Sequence, residues 1–256
     1  MTAAANDPSP GSPARPLAIL TGATGGIGRA TTRALIAAGW DVVAVARRQE
    51  RLDALIAGID AKANVHALAA DIVADGAADA IVAQAKRRGP LDLLVNVAGL
   101  MPWGLAVDTK REDLVRCFEV NVFGTYLMSV AAARAMPEGA AIINVASSAG
   151  LRALTERSIY CASKAAVVQL TRCLALEWAP RKIAVNAVAP GVVLTPRISR
   201  LLAEDSPIIE SVREATATGA FPTPEDVAQS IVLLARQNRS LVIGQVWGID
   251  AGWAIL

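Results

Sequence analysis

This sequence is poor in the side chains from which most hydrolytic and metal sites are built. One histidine, His66, stands in 256 residues, so neither a Ser-His-Asp relay nor a histidine-ligated zinc is readily assembled. His66 falls in a short β-like run, Val65 to Ala69, and is expected to be a strand residue with no chemical duty. The three cysteines, Cys117, Cys161 and Cys173, cannot all pair, and none stands in a C-x-x-C spacing. They are expected to be reduced core thiols, and no metal site is expected. Basic residues occur singly or in pairs, and the formal net charge is only +2. No run can follow a phosphate backbone, which removes nucleic acid as an expected partner. Nor does any uninterrupted apolar stretch reach the about 18–20 residues that cross a bilayer, so no membrane partner is expected. The first 15 residues, MTAAANDPSPGSPAR, lack the apolar segment of an export signal and are small, polar and proline-rich. They are expected to form a disordered tail ahead of one domain over 16–256, in a cytoplasmic protein.

What is present is an apolar chain, 54% hydrophobic, with material for a sizeable core. Short apolar runs alternate with alanine-rich stretches of helical spacing. Leu17–Leu20, Val42–Ala46, Val65–Ala69, Leu91–Val95, Ala141–Val145, Ile183–Val188 and Leu241–Ile249 read as strands. Ile27–Ala38, Gly76–Arg88, Arg111–Met136, Ser158–Ala179 and Pro224–Arg236 read as helices. Strands that are apolar throughout suit a parallel sheet covered on both faces. Their alternation with helices predicts an α/β fold of the Rossmann type, a doubly wound parallel sheet of about seven strands in a single domain. The long interval at about 196–222 is predicted to be a substrate lid. Ligands of such sheets bind beyond the carboxyl ends of the strands, which makes the residues there the candidates for chemistry.

The first strand runs into Thr21-Gly22-Ala23-Thr24-Gly25-Gly26-Ile27-Gly28 and then a helix. Glycines let the backbone turn sharply and approach a pyrophosphate, and a helix start offers it free N–H groups. Further on, Tyr160 and Lys164 share a helix face through their four-residue spacing. A free phenol has a pKa near ~10, and an ammonium within a few Å would favour its ionised form. Lowering that pKa by ~2–3 units takes roughly 3–4 kcal/mol of differential stabilisation.

The glycine spacing resembles that of the short-chain dehydrogenase/reductase family, and the resemblance runs from about Leu17 to Gly252. It implies pyrophosphate contacts at Gly22, Thr24, Gly25, Gly26, Ile27 and Gly28, and adenine contacts at Asp71 and Ile72. Asn96-Val97-Ala98-Gly99 resembles the family's Asn-Asn-Ala-Gly, with Val97 in place of the second asparagine, and puts Asn96, Ala98 and Gly99 beside the cofactor. Pro190, Gly191, Val193 and Thr195 match the segment that holds the nicotinamide. Asn121, Ser147, Tyr160 and Lys164 match the catalytic set, with Tyr160 and Lys164 also touching the cofactor. Ser148 rivals Ser147 on composition, but the family's interval of thirteen residues before Tyr160 falls on Ser147. In the family the asparagine corresponding to Asn121 holds a water of a proton relay. Asn121 could alternatively be a helix-bending residue, and Ser147-Ser148 a plain strand end.

The end of the second strand reads Ala44-Val45-Ala46-Arg47-Arg48, with no acid to bond the adenosine ribose. NADP(H) is therefore the expected cofactor, bound through Arg47 and Arg48, with NAD(H) the alternative. The expected reaction moves hydride between the nicotinamide and a ketone or secondary alcohol of a small, partly apolar molecule. Met101, Trp103, Leu151, Leu154 and the lid residues Ile198, Leu201, Leu202, Ile208, Ile209 and Val212 are candidate pocket walls, or equally core or interface. Arg152, Arg157 and Arg197 either meet an anionic group or are solvated. A 3-oxoacyl-carrier-protein reductase is the alternative activity. It ranks lower because Pro137-Glu138-Gly139 and Ala175-Leu176-Glu177 lack the carrier-docking arginines of those relatives. An NADP(H)-sensing regulator without catalysis is the alternative of another class, and a sugar-nucleotide epimerase, a longer kind of relative, a third. Apolar surface on the long helices and the ending Trp253-Ala254-Ile255-Leu256 predict a homo-oligomer, a tetramer by resemblance or else a dimer.

Overall fold

The computed structural model describes residues 15–59, 64–195, 198, 213–237 and 239–255. Seven strands form one sheet, all pairings parallel. They are β1 (Leu17–Thr21), β2 (Asp41–Ala46), β3 (Val65–Ala69), β4 (Leu91–Asn96), β5 (Ala141–Val145), β6 (Ala184–Pro190) and β7 (Val246–Ile249). The order is β3-β2-β1-β4-β5-β6-β7. Every residue of β1, β5 and β6 is buried, as strands covered on both faces must be. The chain winds outward from β1 to β3, then crosses back to β4, so Thr21 and Asn96 end neighbouring strands where the winding reverses. That reversal opens the crevice in which such sheets hold ligands.

Helices cover both faces. On one lie α1 (Gly26–Ala37), α2 (Gln49–Ala57) and α7 (Pro224–Arg236), whose Leu35, Leu52, Leu55, Val227 and Ile231 pack on Ala18, Leu20, Leu93 and Val95. On the other lie α3 (Ala77–Lys86), α5 (Gly124–Ala135) and α6 (Ser158–Trp178), whose Ile81, Val82, Met128 and Leu174 meet Ile19, Leu94 and Ile142. Each such leucine or isoleucine stabilises the fold by about 1.5–3 kcal/mol relative to exposure. Over Ser158–Arg181 the chain has the length and hydropathy to cross a bilayer. It is instead a sheet-packed helix, with Val167, Val168, Thr171 and Leu174 buried.

The structure departs from the sequence expectation in several places. Helix α2 carries Gln49, Glu50, Arg51 and Asp53 and buries only Leu52 and Leu55, too narrow an apolar stripe to read from periodicity. The stretch from Arg111 is α4 (Arg111–Phe118), then a π-helical turn (Glu119–Phe123), then α5. Strand β7 begins at Val246, not Leu241, because Gly244 turns the chain at φ +67° and Leu241 is exposed. Arg15, counted with the tail, pairs with Asp41 at 3.5 Å and donates to the Ile36 carbonyl. Of the three free cysteines only Cys117 is buried, and Cys173, on the outer face of α6, is exposed. Most of the expected lid, 196–197 and 199–212, lies outside the described residues.

Candidate active site

The glycine turn is shaped by close backbone approach. Gly22 has φ +69°, and a Cβ on it would stand 2.6 Å from the Ala98 nitrogen. Next to it, Thr21 Oγ1 accepts from the Val97 and Ala98 amides at 3.2 and 3.3 Å, tying β1 to the loop after β4. A Cβ on Gly28 would stand 2.2 Å from the Gly22 carbonyl oxygen, and one on Gly26 2.7 Å from Thr195 Cγ2. Helix α1 begins here with no side-chain cap and no acid in its first turn. Uncapped amides, bare glycine backbone and Thr195 above them fit a pyrophosphate.

The adenosine end follows along the strand tips. Ala46 is buried at the end of β2. Arg47 and Arg48 beyond it are exposed, their side chains without hydrogen bond or ion pair among the described residues. Asp71 Oδ1 accepts from the Val73 amide at 3.4 Å, and Oδ2 lies 3.5 Å from Arg116. Ile72 is buried beneath Gly124, where a Cβ would meet its Cδ1 at 2.7 Å. The Asn96 side chain turns into the protein, donating to Ser129 Oγ and Asn144 Oδ1, each at 3.0 Å. Asn144 in turn donates to Thr171 Oγ1 at 3.0 Å. Neighbouring strand residues face opposite sides, so this amide bonds β4 to β5 and α5 while Val97 reaches the cavity.

At the carboxyl ends of the central strands lies a cavity of about 440 Å³. It gathers Ile27, Gly99, Ser147, Tyr160, Lys164, Pro190, Gly191, Val193 and Thr195 from segments far apart in the chain. Ser147 follows β5 in extended conformation, and its Oγ caps a 3₁₀ turn (Ser148–Gly150) by accepting from the Ala149 amide at 3.2 Å. Gly150 packs that turn onto α6 so closely that a Cβ would meet the Lys164 carbonyl carbon at 2.7 Å. Ser147 thereby comes close enough to the Tyr160 phenol to act on its pKa, while its Oγ donates to the Pro190 carbonyl at 3.4 Å. Ser148 also lines the cavity, but the serine that acts on the phenol is Ser147.

Burial pushes the Tyr160 phenol above its ordinary range, and the neighbouring Ser147 hydroxyl pulls it partly back. Lys164 does not add to that pull as expected from spacing alone. Its Nζ donates to the Val145 carbonyl at 2.8 Å and lies 6.0 Å from the centre of the phenol ring. Burial lowers the lysine itself to about 8.

Asn121 occupies the π-helical turn and is fully buried. Its Oδ1 accepts from the Leu100 amide at 2.7 Å, and its Nδ2 donates to the Leu100 carbonyl and Ser163 Oγ, each at 2.9 Å. Gly99 lets this amide and Lys164 draw together, since a Cβ there would lie 3.3 Å from Asn121 Oδ1 and 3.5 Å from Lys164 Nζ. π-helical turns of this kind recur at functional sites.

Met101, Trp103 and Leu154 line the cavity as expected, whereas Leu151 is exposed and off it. Leu201, Leu202, Ile208, Ile209, Val212 and Arg197 lie outside the described residues. Sequence reasoning missed Glu156 as a wall and placed Trp253 at an interface. Trp253 is buried against the cavity because Arg152 donates to its carbonyl at 2.8 Å and lies 5.3 Å from its ring centre. That bond spans 101 residues of sequence, and no local pattern announces it.

A family model described as enoyl-(acyl carrier protein) reductase matches residues 22–254. The D-threitol dehydrogenase of Mycolicibacterium smegmatis is 35% identical over 93% of both chains. The L-xylulose reductase of Cavia porcellus is 36% identical over 92% of this chain and 95% of its own. An uncharacterized short-chain type dehydrogenase/reductase of Sinorhizobium fredii is 35% identical, and this chain spans 43% of its length. Among solved structures, a short-chain dehydrogenase/reductase from Serratia marcescens is 30% identical with a TM-score of 0.86, covering 93% of this chain and 98% of its own. ElxO with NADP bound is 26% identical with a TM-score of 0.87, covering 94% and 100%.

Proposed function

Since this chain belongs to the short-chain dehydrogenase/reductase family, whose members act between alcohols and ketones, we propose that it is an NADP(H)-dependent enzyme acting on a small, partly apolar ketone or secondary alcohol. The observation that carries this reading is the convergence of Tyr160, Ser147 and Lys164 on one cavity bordered by the glycine cradle. A bound nicotinamide supplies or accepts the hydride.

This chain's residues do the rest. Gly22, Gly26 and Gly28 leave room for the pyrophosphate, and the first turn of α1 donates to it. Tyr160 gives its phenolic proton to the substrate oxygen in reduction and takes one back in oxidation. A phenol held neutral by burial suits the reductive direction, because the proton is present at neutral pH. Ser147, beside Tyr160, can turn its single hydroxyl proton to the same oxygen as a second hydrogen bond. Lys164 stands behind the phenol and, with Asn121, borders the path by which the proton is replaced. Arg47 and Arg48, free of protein partners among the described residues, support the 2′-phosphate and hence NADP(H).

Exposed Leu114, Val115, Phe123, Tyr126 and Leu127 on α4, the π-helical turn and α5 support a homo-oligomer, a tetramer or a dimer. The cytoplasm is the proposed location. Incubation with NADPH or NADH and a panel of cyclic, aromatic and acyl ketones tests the reading through cofactor absorbance. Cofactor binding with no turnover across the panel would favour the sensor.

A further inference from the structure

Two loops are pinned together at one wall of this cavity. The Gly104 amide donates to the Glu156 carbonyl at 3.0 Å, and the Trp103 indole N–H donates to the Glu156 carboxylate. Glu156 has φ +59°, a left-handed conformation that a non-glycine residue keeps only where its surroundings impose it. The arrangement holds Trp103 flat against Arg157, whose guanidinium carbon lies 3.5 Å from the ring centre. All three residues line the cavity, as does Tyr160, three residues after Arg157.

Arg157 is left without an acceptor. Its Nη1 is buried and unbonded, and no carboxylate among the described residues pairs with it. Partial burial depresses its pKa, part of its hydration being lost with no acceptor in its place. Among the described residues, the other cation lining this cavity, Lys164, is committed to the Val145 carbonyl, and nearby Arg152 to that of Trp253. Glu156, the acid on the same wall, is engaged by Trp103 and forms no ion pair with Arg157.

A guanidinium stacked on a ring has one face covered, and with Nη1 buried the donors left facing the cavity are Nε and Nη2, a side-on pair that matches the two oxygens of a carboxylate. Arg157 caps α6 one residue ahead of Ser158, and it lines the same cavity as Tyr160, close enough for its charge to act on the phenol. We propose that Arg157 is a specificity-determining residue that binds a carboxylate of the substrate, making the preferred substrate an oxo acid or hydroxy acid. Its acid group stands a short carbon chain away from the reacting carbon. The inference rests on the oxidoreductase reading of the same cavity. Apolar Met101, Leu154 and Trp253 suit the chain between the two groups. A neutral polyhydroxylated substrate would leave the guanidinium with weaker acceptors.

The test pairs each oxo acid, with one to four carbons between ketone and carboxylate, with its methyl ester. We expect the wild type to favour the acid at least tenfold in kcat/KM, chiefly through KM, with the preference shrinking as salt is added. Arg157→Leu should abolish the preference while still reducing the ester, and Arg157→Lys should keep part of it. Equal use of acid and ester by the wild type overturns the proposal, as does an acid preference that survives in Arg157→Leu. Calorimetric titration of the Tyr160→Phe protein with acid and ester supplies a readout that needs no turnover. Acid-selective binding lost in Tyr160→Phe/Arg157→Leu, with no ketone reduced by the wild type, would leave the carboxylate site standing and remove the oxidoreductase reading.

Discussion

Lys164 Nζ donates to the Val145 carbonyl 2.8 Å away and stands 6.0 Å from the centre of the Tyr160 ring. The four-residue spacing puts the two side chains on one helix face, but the sheet decides where the ammonium points. It is bound to the end of β5, beside the phenol rather than on its oxygen. Burial thus moves the two groups in opposite directions, the phenol up and away from neutrality and the lysine down toward it.

Replacement of Tyr160 by Phe removes the hydroxyl that passes the proton and little else. Turnover should fall by about 10²–10⁴-fold, while NADPH binding, followed by fluorescence, stays within a few-fold of wild type. A variant that keeps more than a third of the wild-type kcat would remove Tyr160 from the reaction.

Lys164 should make stability depend on pH in a direction opposite to that of a paired lysine. Its pKa is about 8 in the fold against 10.5 when unfolded. Below pH 8 both states hold the proton and the fold bears the full cost of burying the charge, about 3 kcal/mol. From pH 8 to 10.5 the unfolded chain binds more protons, so rising pH stabilises the native state. Lys164→Met abolishes this gain. Its Tm relative to wild type should be highest below pH 8 and should decline toward pH 10.5, and a difference that is flat with pH would contradict the burial of a charged lysine.

Gly28 and Gly25 make a paired test of the cradle. A methyl on Gly28 meets backbone on two sides, the Gly22 oxygen at 2.2 Å and Ala23 Cα at 2.8 Å, and neither can yield alone. Gly28→Ala should cost about 1–3 kcal/mol in chemical denaturation and weaken NADPH binding by more than tenfold. On Gly25 the nearest atom is 3.5 Å away, so Gly25→Ala should stay within about 0.5 kcal/mol of wild type.

Arg47 should set the cofactor preference. A hydrogen bond to a charged group contributes roughly 1.5–3 kcal/mol, and the exposure of Arg47 argues for the lower end, about a tenfold preference for NADPH. Ala46→Asp with Arg47→Ala should reverse the order, since a carboxylate accepts from the ribose hydroxyls and repels the 2′-phosphate. The measurement is kcat/KM for both cofactors at one ionic strength. A wild type that favours NADH would refute the assignment of Arg47 without touching that of Tyr160.

Leu127 is 44% exposed on α5, beside Phe123 at 54%. Leu127→Asp places a charge in that apolar strip and should convert an oligomer to monomer in sedimentation at micromolar concentration. A wild type that is monomeric under those conditions would contradict the interface.

The sheet and its order of elements were legible because strands buried on both faces must be apolar at every position, and short apolar runs between helical stretches have few other uses. The glycine turn was legible for a similar reason. Gly22 needs a positive φ and Gly28 has no room for a Cβ, so backbone shape is written directly into residue type. The catalytic set could be named through its order along the chain and its resemblance to a family pattern.

What the sequence by itself determined were the local requirements: apolar strands, bare glycines, and Tyr160 one helical turn from Lys164. Only the tertiary structure decided where polar side chains point. It turned Asn96 into the sheet, tied Asn121 to Leu100 and Ser163, and bound Lys164 to Val145. It also carried Trp253 back to the cavity and left Arg157 stacked and unpaired. These outcomes hang on partners up to 101 residues away. A hydrogen bond is satisfied by whichever group the packed fold brings within reach, and that choice leaves no periodic trace in the chain.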